Sequence, residues 1–348
     1  MSAAATDMSR PVPAPLSLVR YAWGVLAYNL LVIAWGAFVR ASGSGAGCGA
    51  HWPLCNGKGI PELTNNATII EATHRFTSGI AMVLVGALMV QTLRALPRGH
   101  RARRASIAST VFVLGEAIIG AALVLFKLVA HDDSLKRGLS MILHLGNTFL
   151  LLGALTLTAW TLTVNNESSS GSSSREGTPA SGSVRFVVAA SLAAVLFLGS
   201  SGAIAALGDT LFPPLSLRDG LAQDLSPLAH IFVRLRVLHP FIALGAGAII
   251  FATASIVRVS RPTPRVRLWS RLLTLSFALQ FAIGLLNVTL LAPIPMQVVH
   301  LLMADATWIA LVLMGWEAVY AQSPIMSRNG PAPISAVPPS TSSVDPVT

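Results

Sequence analysis

The chain has 348 residues, of which 53% are apolar and only 11% charged. Soluble domains carry roughly 25% charged residues, so this composition excludes an ordinary soluble globular protein. The formal net charge of +10 is no nucleic-acid signal, because most basic residues sit in short connections between apolar runs and no RNA- or DNA-binding motif is present.

Several apolar runs approach or exceed the roughly 20 residues that a membrane helix needs. The sequence predicts an all-α polytopic membrane protein with eight spans. They are Tyr21–Val39, Thr68–Leu93, Ser106–Val129, Ser140–Val164, Val184–Leu207, Ala229–Val257, Leu268–Ala292 and Pro295–Tyr320. Residues 1–20 read as a cytoplasmic N-terminal segment without the charged-then-apolar pattern of a cleaved signal. Lys and Arg counts set the orientation. Arg94, Arg98, Arg101, Arg103 and Arg104 follow span 2, and Arg258, Arg261, Arg265 and Arg267 follow span 6. The loop after span 1 has only Lys58, and the loop after span 5 only Arg218. Both termini are therefore expected in the cytoplasm, with the loops after spans 1, 3 and 5 facing outward.

Residues 165–183 are rich in Ser and Gly and read as a flexible cytoplasmic linker. They divide the chain into four-helix bundles over 21–164 and 184–320. The tail over 321–348 is rich in Pro and Ser and reads as disordered. The halves look like a pseudo-symmetric repeat. His74 matches His239, Glu116-Ala-Ile-Ile-Gly120 matches Gln280-Phe-Ala-Ile-Gly284, and His144 matches His300. Four spans per half give both halves the same orientation in the membrane.

Spans 2, 4, 6 and 8 each carry one histidine in their outer part: His74, His144, His239 and His300. A lone membrane histidine usually makes an interhelical hydrogen bond. Four at equivalent places, two per bundle, fit ligation of a heme iron from both sides. Zinc fits less well, because each pair lacks further ligands at helical spacing. His51, His100, His131 and His230 fall in loops or at a span edge and read as solvated or interfacial. His131 and His230 are secondary candidates for proton handling.

Span 2 contains Ile70-Glu71-Ala72-Thr73-His74-Arg75. Glu71 and His74 lie one helical turn apart. Ionisable groups at such depth are costly and mark function by default. Glu71 precedes His74 by three residues, whereas Arg236 precedes His239 by three. That asymmetry suggests one reacting heme beside a carboxylate and one heme held as an electron carrier. The bland alternative makes Glu71 a charge-neutralising partner of Arg75. In the loop after span 1, Cys48 and Cys55 are the whole thiol inventory, and a disulfide is the economical reading on an oxidising side. Such a bridge either staples the loop or shields or tunes the site beneath.

The run VRASGSGAGC…WPLCNGKGIP, followed by EATHR, resembles the first outward loop and second helix of the heme A synthase family. The resemblance extends from Tyr21 to Tyr320. It implies that the enzyme oxidises a methyl group of heme O to a formyl group, giving heme A for cytochrome oxidase. It also implies that His74 and His144, with Arg75, hold the substrate heme O, and that His239 and His300 ligate a permanent heme b. Glu71 would be the catalytic carboxylate, and Cys48 and Cys55 match the family's first-loop disulfide. Two departures stand out. The loop after span 5 has no cysteine pair, and Pro240 follows His239 where the family commonly has Arg. Propionate pairing in the second half then falls to Arg234 or Arg236.

The implied partners are heme O synthase, cytochrome oxidase assembly factors, a quinone or other electron acceptor, and lipid, with room for a homo-oligomer and no nucleic acid. The implied location is the bacterial cytoplasmic (inner) membrane. A rival reading is a di-heme b-type cytochrome carrying electrons between quinone and a partner. A transporter or heme exporter also shares parallel repeats. A heme-O-forming prenyltransferase needs clustered aspartates for magnesium and diphosphate, whereas Asp219 and Asp224 read as outward and isolated.

Overall fold

The computed structural model describes residues 13–59, 65–169 and 180–320. The described residues form α1 (Leu16–Ala41), a 3-10 turn (Ser44–Ala46), α2 (Asn66–Ala95), α3 (Arg101–Leu125), α4 (Leu135–Ser169), α5 (Gly182–Leu211), α6 (Leu217–Leu225), α7 (Ile231–Arg236), α8 (Leu238–Ser260), α9 (Pro264–Thr289) and α10 (Ile294–Tyr320). Among the described residues, eight stretches are long and apolar enough to cross a membrane, with α7 and α8 forming one of them. This is a multi-pass all-α membrane protein. Residues 1–12, most of the expected linker (170–179) and the tail from 321 lie outside the described residues. The helices reach into both flanks: α1 already begins at Leu16, and α4 runs on to Ser169.

Several helix starts are written in side chains. Asn65 Oδ1 accepts from the Thr68 N–H at 2.8 Å at the start of α2. Thr263 caps α9, with Pro264 in its first turn, where a missing N–H costs nothing. Two helix ends fall short of the apolar runs that contain them. α3 stops at Leu125 and α9 at Thr289, because Lys127 and Leu291 adopt left-handed φ values of 58° and 61°. The Leu128 N–H then bonds Leu123 O at 2.8 Å, and the Ala292 N–H bonds Asn287 O at 2.7 Å. Both are Schellman-type caps, and both positions differ by 164, the spacing between Gly120 and Gly284.

The sixth span is interrupted between α7 and α8. Pro240 has no N–H to offer the carbonyl four residues back, at Arg236, so the helical ladder breaks there.

In the first half, α1 packs on α2 and α4, and α3 on α2 and α4. In the second, α8 packs on α5 and α9, and α10 on α9 and α5. The halves meet through α1 and α4 against α5 and α10. Lipid offers little hydrophobic drive for helix association, so close packing and hydrogen bonds hold the halves together. Gly199 lets Phe149 nest against α5, since a Cβ there would lie 2.6 Å from the ring. Trp308 stacks on Phe149 with ring centres 5.2 Å apart and donates its indole N–H to Phe149 O at 2.6 Å. Arg40 Nη1 donates to Ala206 O at 2.8 Å and Thr210 Oγ1 at 2.7 Å, and Nη2 donates to Gln297 Oε1 at 2.9 Å. Arg40 thus joins α1 to α5 and α10. Large apolar side chains such as Leu31, Phe76, Ile118 and Phe197 stand exposed on the outside, as lipid contact requires.

Candidate functional site

The loop after α1 is seated on the start of α2. Cys48 and Cys55 form a disulfide. Thr68 Oγ1 donates to Gly47 O at 2.7 Å. Gly47 presses so close that a Cβ would lie 2.3 Å from the Ala67 carbonyl, so only glycine fits.

Glu71 lies directly beneath this loop and is 3% exposed, so what it bonds decides what it can do. Its Oε2 accepts the Cys48 N–H at 2.8 Å. Its Oε1 accepts from both Nε and Nη2 of Arg75. Arg75 Nη1 in turn donates to Leu54 O at 3.0 Å and to His51 O. Glu71 and Arg75 together clamp the loop, and the guanidinium is spent on protein acceptors. The sequence places Arg75 at the substrate heme; here it faces the carboxylate and the loop carbonyls.

His74 projects from α2 towards α1, where a Cβ on Gly36 would lie 2.9 Å from its Cε1. His144, on α4, places Nδ1 2.8 Å from Glu116 Oε2, within ion-pair range although off the line of a hydrogen bond. In the second half, His239 Nδ1 is 2.8 Å from Ser201 Oγ. A Cβ on Gly202 would lie 3.1 Å from the His239 ring, and one on Gly284 2.9 Å from the His300 ring, so both rings rest on glycine. The His239 and His300 ring centres are 6.4 Å apart with planes at 84°.

That separation tests whether a heme fits. A metal–imidazole bond of about 2 Å on each side, plus about 1 Å from nitrogen to ring centre, puts two rings roughly 6 Å apart across one iron. Buried polar atoms without protein partners gather at the same places: His74 Nδ1, His300 Nδ1 and Gln280 Oε1. The donor set and the glycine cradles fit bis-imidazole ligation. Among the described residues, no group of three or more His, Cys, Asp and Glu could hold a metal ion.

Two expectations about charge need correction. Arg236 is 9% exposed, and the bonds it makes are to carboxylates and a carbonyl of its own half. Its Nε donates to Asp224 Oδ1 at 2.6 Å, and its Nη1 to Asp209 Oδ1 and Phe212 O, each at 3.3 Å. Asp224 is accordingly not isolated. Asp219 supports α6 by accepting from the Leu215 N–H and Gln223 Nε2, each at 2.9 Å. Arg234 is exposed. His100 and His230 cap α3 and α7, accepting from the Ala102 N–H at 3.1 Å and the Phe232 N–H at 3.3 Å.

Three residues beside the histidines went unassigned in the sequence: Ser201, Glu116 and Gln280. The internal repeat already aligned the last two, and that alignment was the available signal.

Residues 19–312 match the COX15-CtaA family, described as cytochrome oxidase assembly protein. The chain belongs to this family. The resemblance carried by the first loop and EATHR therefore stands. A protoheme IX farnesyltransferase of Thermus thermophilus is 45% identical over 307 residues, covering 88% of this chain and 49% of that protein. A heme A synthase of Bacillus licheniformis is 42% identical over 113 residues, 32% of this chain and 37% of that one. A heme A synthase of Bacillus cereus is 38% identical over 113 residues, 32% and 36% of the two chains. The chain spans about half the length of the Thermus relative it matches.

Proposed function

We propose that this COX15-CtaA family member is a heme A synthase. It oxidises one methyl group of heme O to a formyl group, for cytochrome oxidase assembly. The observation that carries this reading is the buried Glu71–Arg75 clamp one turn from His74; at the matching place before His239 stands Arg236, a cation, whose carboxylate partners Asp209 and Asp224 come from other helices. A pure electron carrier needs two histidine pairs but not this carboxylate.

In this account His74 and His144 hold the substrate heme, and His239 and His300 would hold a resident heme b. A heme there supplies one-electron storage and passage to an acceptor, with a quinone as the acceptor class. The substrate chemistry balances as methyl plus water to formyl, releasing four electrons and four protons. It passes through the alcohol and a geminal diol that loses water. Glu71 contributes a fixed negative charge. Both of its oxygens already accept strong donors, so its role is to stabilise positive charge developing on the substrate without moving. The disulfide loop covers Glu71 and keeps water away from it. The setting is the bacterial inner membrane, with both termini in the cytoplasm.

The farnesyltransferase name of the Thermus relative describes a chain with about as much sequence outside the match as inside it. Diphosphate chemistry calls for free clustered carboxylates. Here Asp209 and Asp224 are both committed to Arg236.

The test is to supply heme O to purified protein with an electron acceptor and identify the extracted hemes. Formation of heme A supports the proposal; recovery of unchanged heme O contradicts it and favours the electron carrier.

A further inference from the structure

Outside the Glu71 clamp, the two histidine pairs also differ at the repeat-equivalent positions of Glu116 and Gln280. Glu116 on α3 and Gln280 on α9 are separated by 164 residues, as are Gly120 and Gly284. Glu116 is held from α4. Its Oε1 accepts from Asn147 Nδ2 at 2.6 Å and from Thr148 Oγ1 at 3.1 Å. These residues lie three and four positions after His144, one turn along the helix. Asn147 Nδ2 also donates to Phe112 O at 2.8 Å, which fixes the amide. Gly115 makes the room, since a Cβ there would lie 2.8 Å from Asn147 Oδ1. With Oε1 pinned, Oε2 is left facing His144 Nδ1 at 2.8 Å.

The second half lacks this arrangement. Three and four residues after His300 stand Met303 and Ala304, which offer no side-chain hydrogen bond of comparable strength. Gln280 places its amide nitrogen 3.3 Å from His300 Nε2, and its Oε1 is buried without a partner. The ring positions reflect the difference. His300 rests against Gly284, whereas nothing lies within 4 Å of a Cβ on Gly120. His144 is turned towards the carboxylate.

A carboxylate held against the far nitrogen of a metal-bound imidazole orients the ring and, as a neighbouring anion, favours the oxidised metal. Gln280 offers no such acceptor to His300, because the atom facing the ring is its amide nitrogen, a donor. We propose that Glu116 is a positioning residue that fixes His144 and makes its pair the stronger donor, so that iron held by His74 and His144 has a lower reduction potential than iron held by His239 and His300. This rests on the heme reading above. The order of potentials makes electron flow from the reacting half to the carrying half downhill. In a loaded protein, the electron leaving the first site would be the one entering the second. A merely structural Glu116, tying α3 to α4, would affect stability and leave the potentials alone.

The experiment is a redox titration of purified, heme-loaded protein, followed by absorbance in samples whose extracted hemes carry no formyl group. The His300→Ala variant, lacking one ligand of the second site, assigns the two transitions. In the unmodified protein the His74/His144 transition is expected at the lower potential. Glu116→Gln, which imitates Gln280, should move that transition upward and leave the other in place. The reverse order in the unmodified protein overturns the proposal. So does a Glu116→Gln protein that keeps its heme with an unmoved potential. If Glu116→Gln fails to retain heme, the order in the unmodified protein decides alone. Correct ordering in a protein that makes no heme A would sink the proposed function and leave this inference intact. The wrong order in an active enzyme would do the opposite.

Discussion

The backbone N–H of Cys48 donates to Glu71 Oε2 at 2.8 Å, so the residue that closes the disulfide loop also holds the buried carboxylate. Loop and carboxylate are one unit, and substitutions at Glu71 should report on both.

Glu71→Gln keeps an acceptor for the Cys48 N–H but removes the charge. The protein should keep its bis-histidine absorbance spectrum while heme A formation falls about 100-fold or more, the usual scale for losing a preorganised electrostatic contact. Glu71→Ala removes the acceptor as well. It should additionally speed reduction of the Cys48–Cys55 bridge by an external thiol, measured by alkylation. Equal bridge reactivity in the two variants would contradict the coupling.

Arg40→Ala strips three hydrogen bonds that join α1 to α5 and α10. Buried acceptors lose a charged donor, so the loss should be about 3 kcal/mol, read as a lower Tm in detergent. Arg40→Lys should recover little, because an ammonium cannot reproduce the guanidinium fork.

Gly284→Ala should weaken heme retention at the His239/His300 site by roughly 10-fold or more, since the new methyl occupies the space behind a ligand ring. Gly245→Ala is the control, because nothing lies within 4 Å of a Cβ at that position. Pyridine hemochrome analysis of purified protein compares the two.

Lys127→Gly and Leu291→Gly should each stabilise the protein by about 0.5–1 kcal/mol. Both residues hold a left-handed conformation that glycine adopts without steric cost. The rise in Tm should be absent when glycine replaces Ile107, inside α3.

The spans were legible because each rests on a local signal, a long apolar run. The histidine spacing also carried the internal repeat. The ends of α3 and α9 were not legible. Helix stops of this kind are usually read from glycine, and here Lys127 and Leu291 take the left-handed position. The role of Arg236 was misread because its partners, Asp209 and Asp224, lie 27 and 12 residues away and are brought together only by packing. Glu116 was visible in the repeat, but its bearing on His144 depends on Asn147 and Thr148 across a helix interface, which no spacing rule reports.

The central claim is that each half grips one heme between two histidines. Heme content per chain tests it most directly, measured on the unmodified protein beside His144→Ala and His300→Ala after expression with heme O supplied. The account predicts up to two hemes per unmodified chain, with each variant losing a different one: His144→Ala the substrate heme and His300→Ala the heme b. A colourless unmodified protein, or two variants that each keep the full complement, would contradict it.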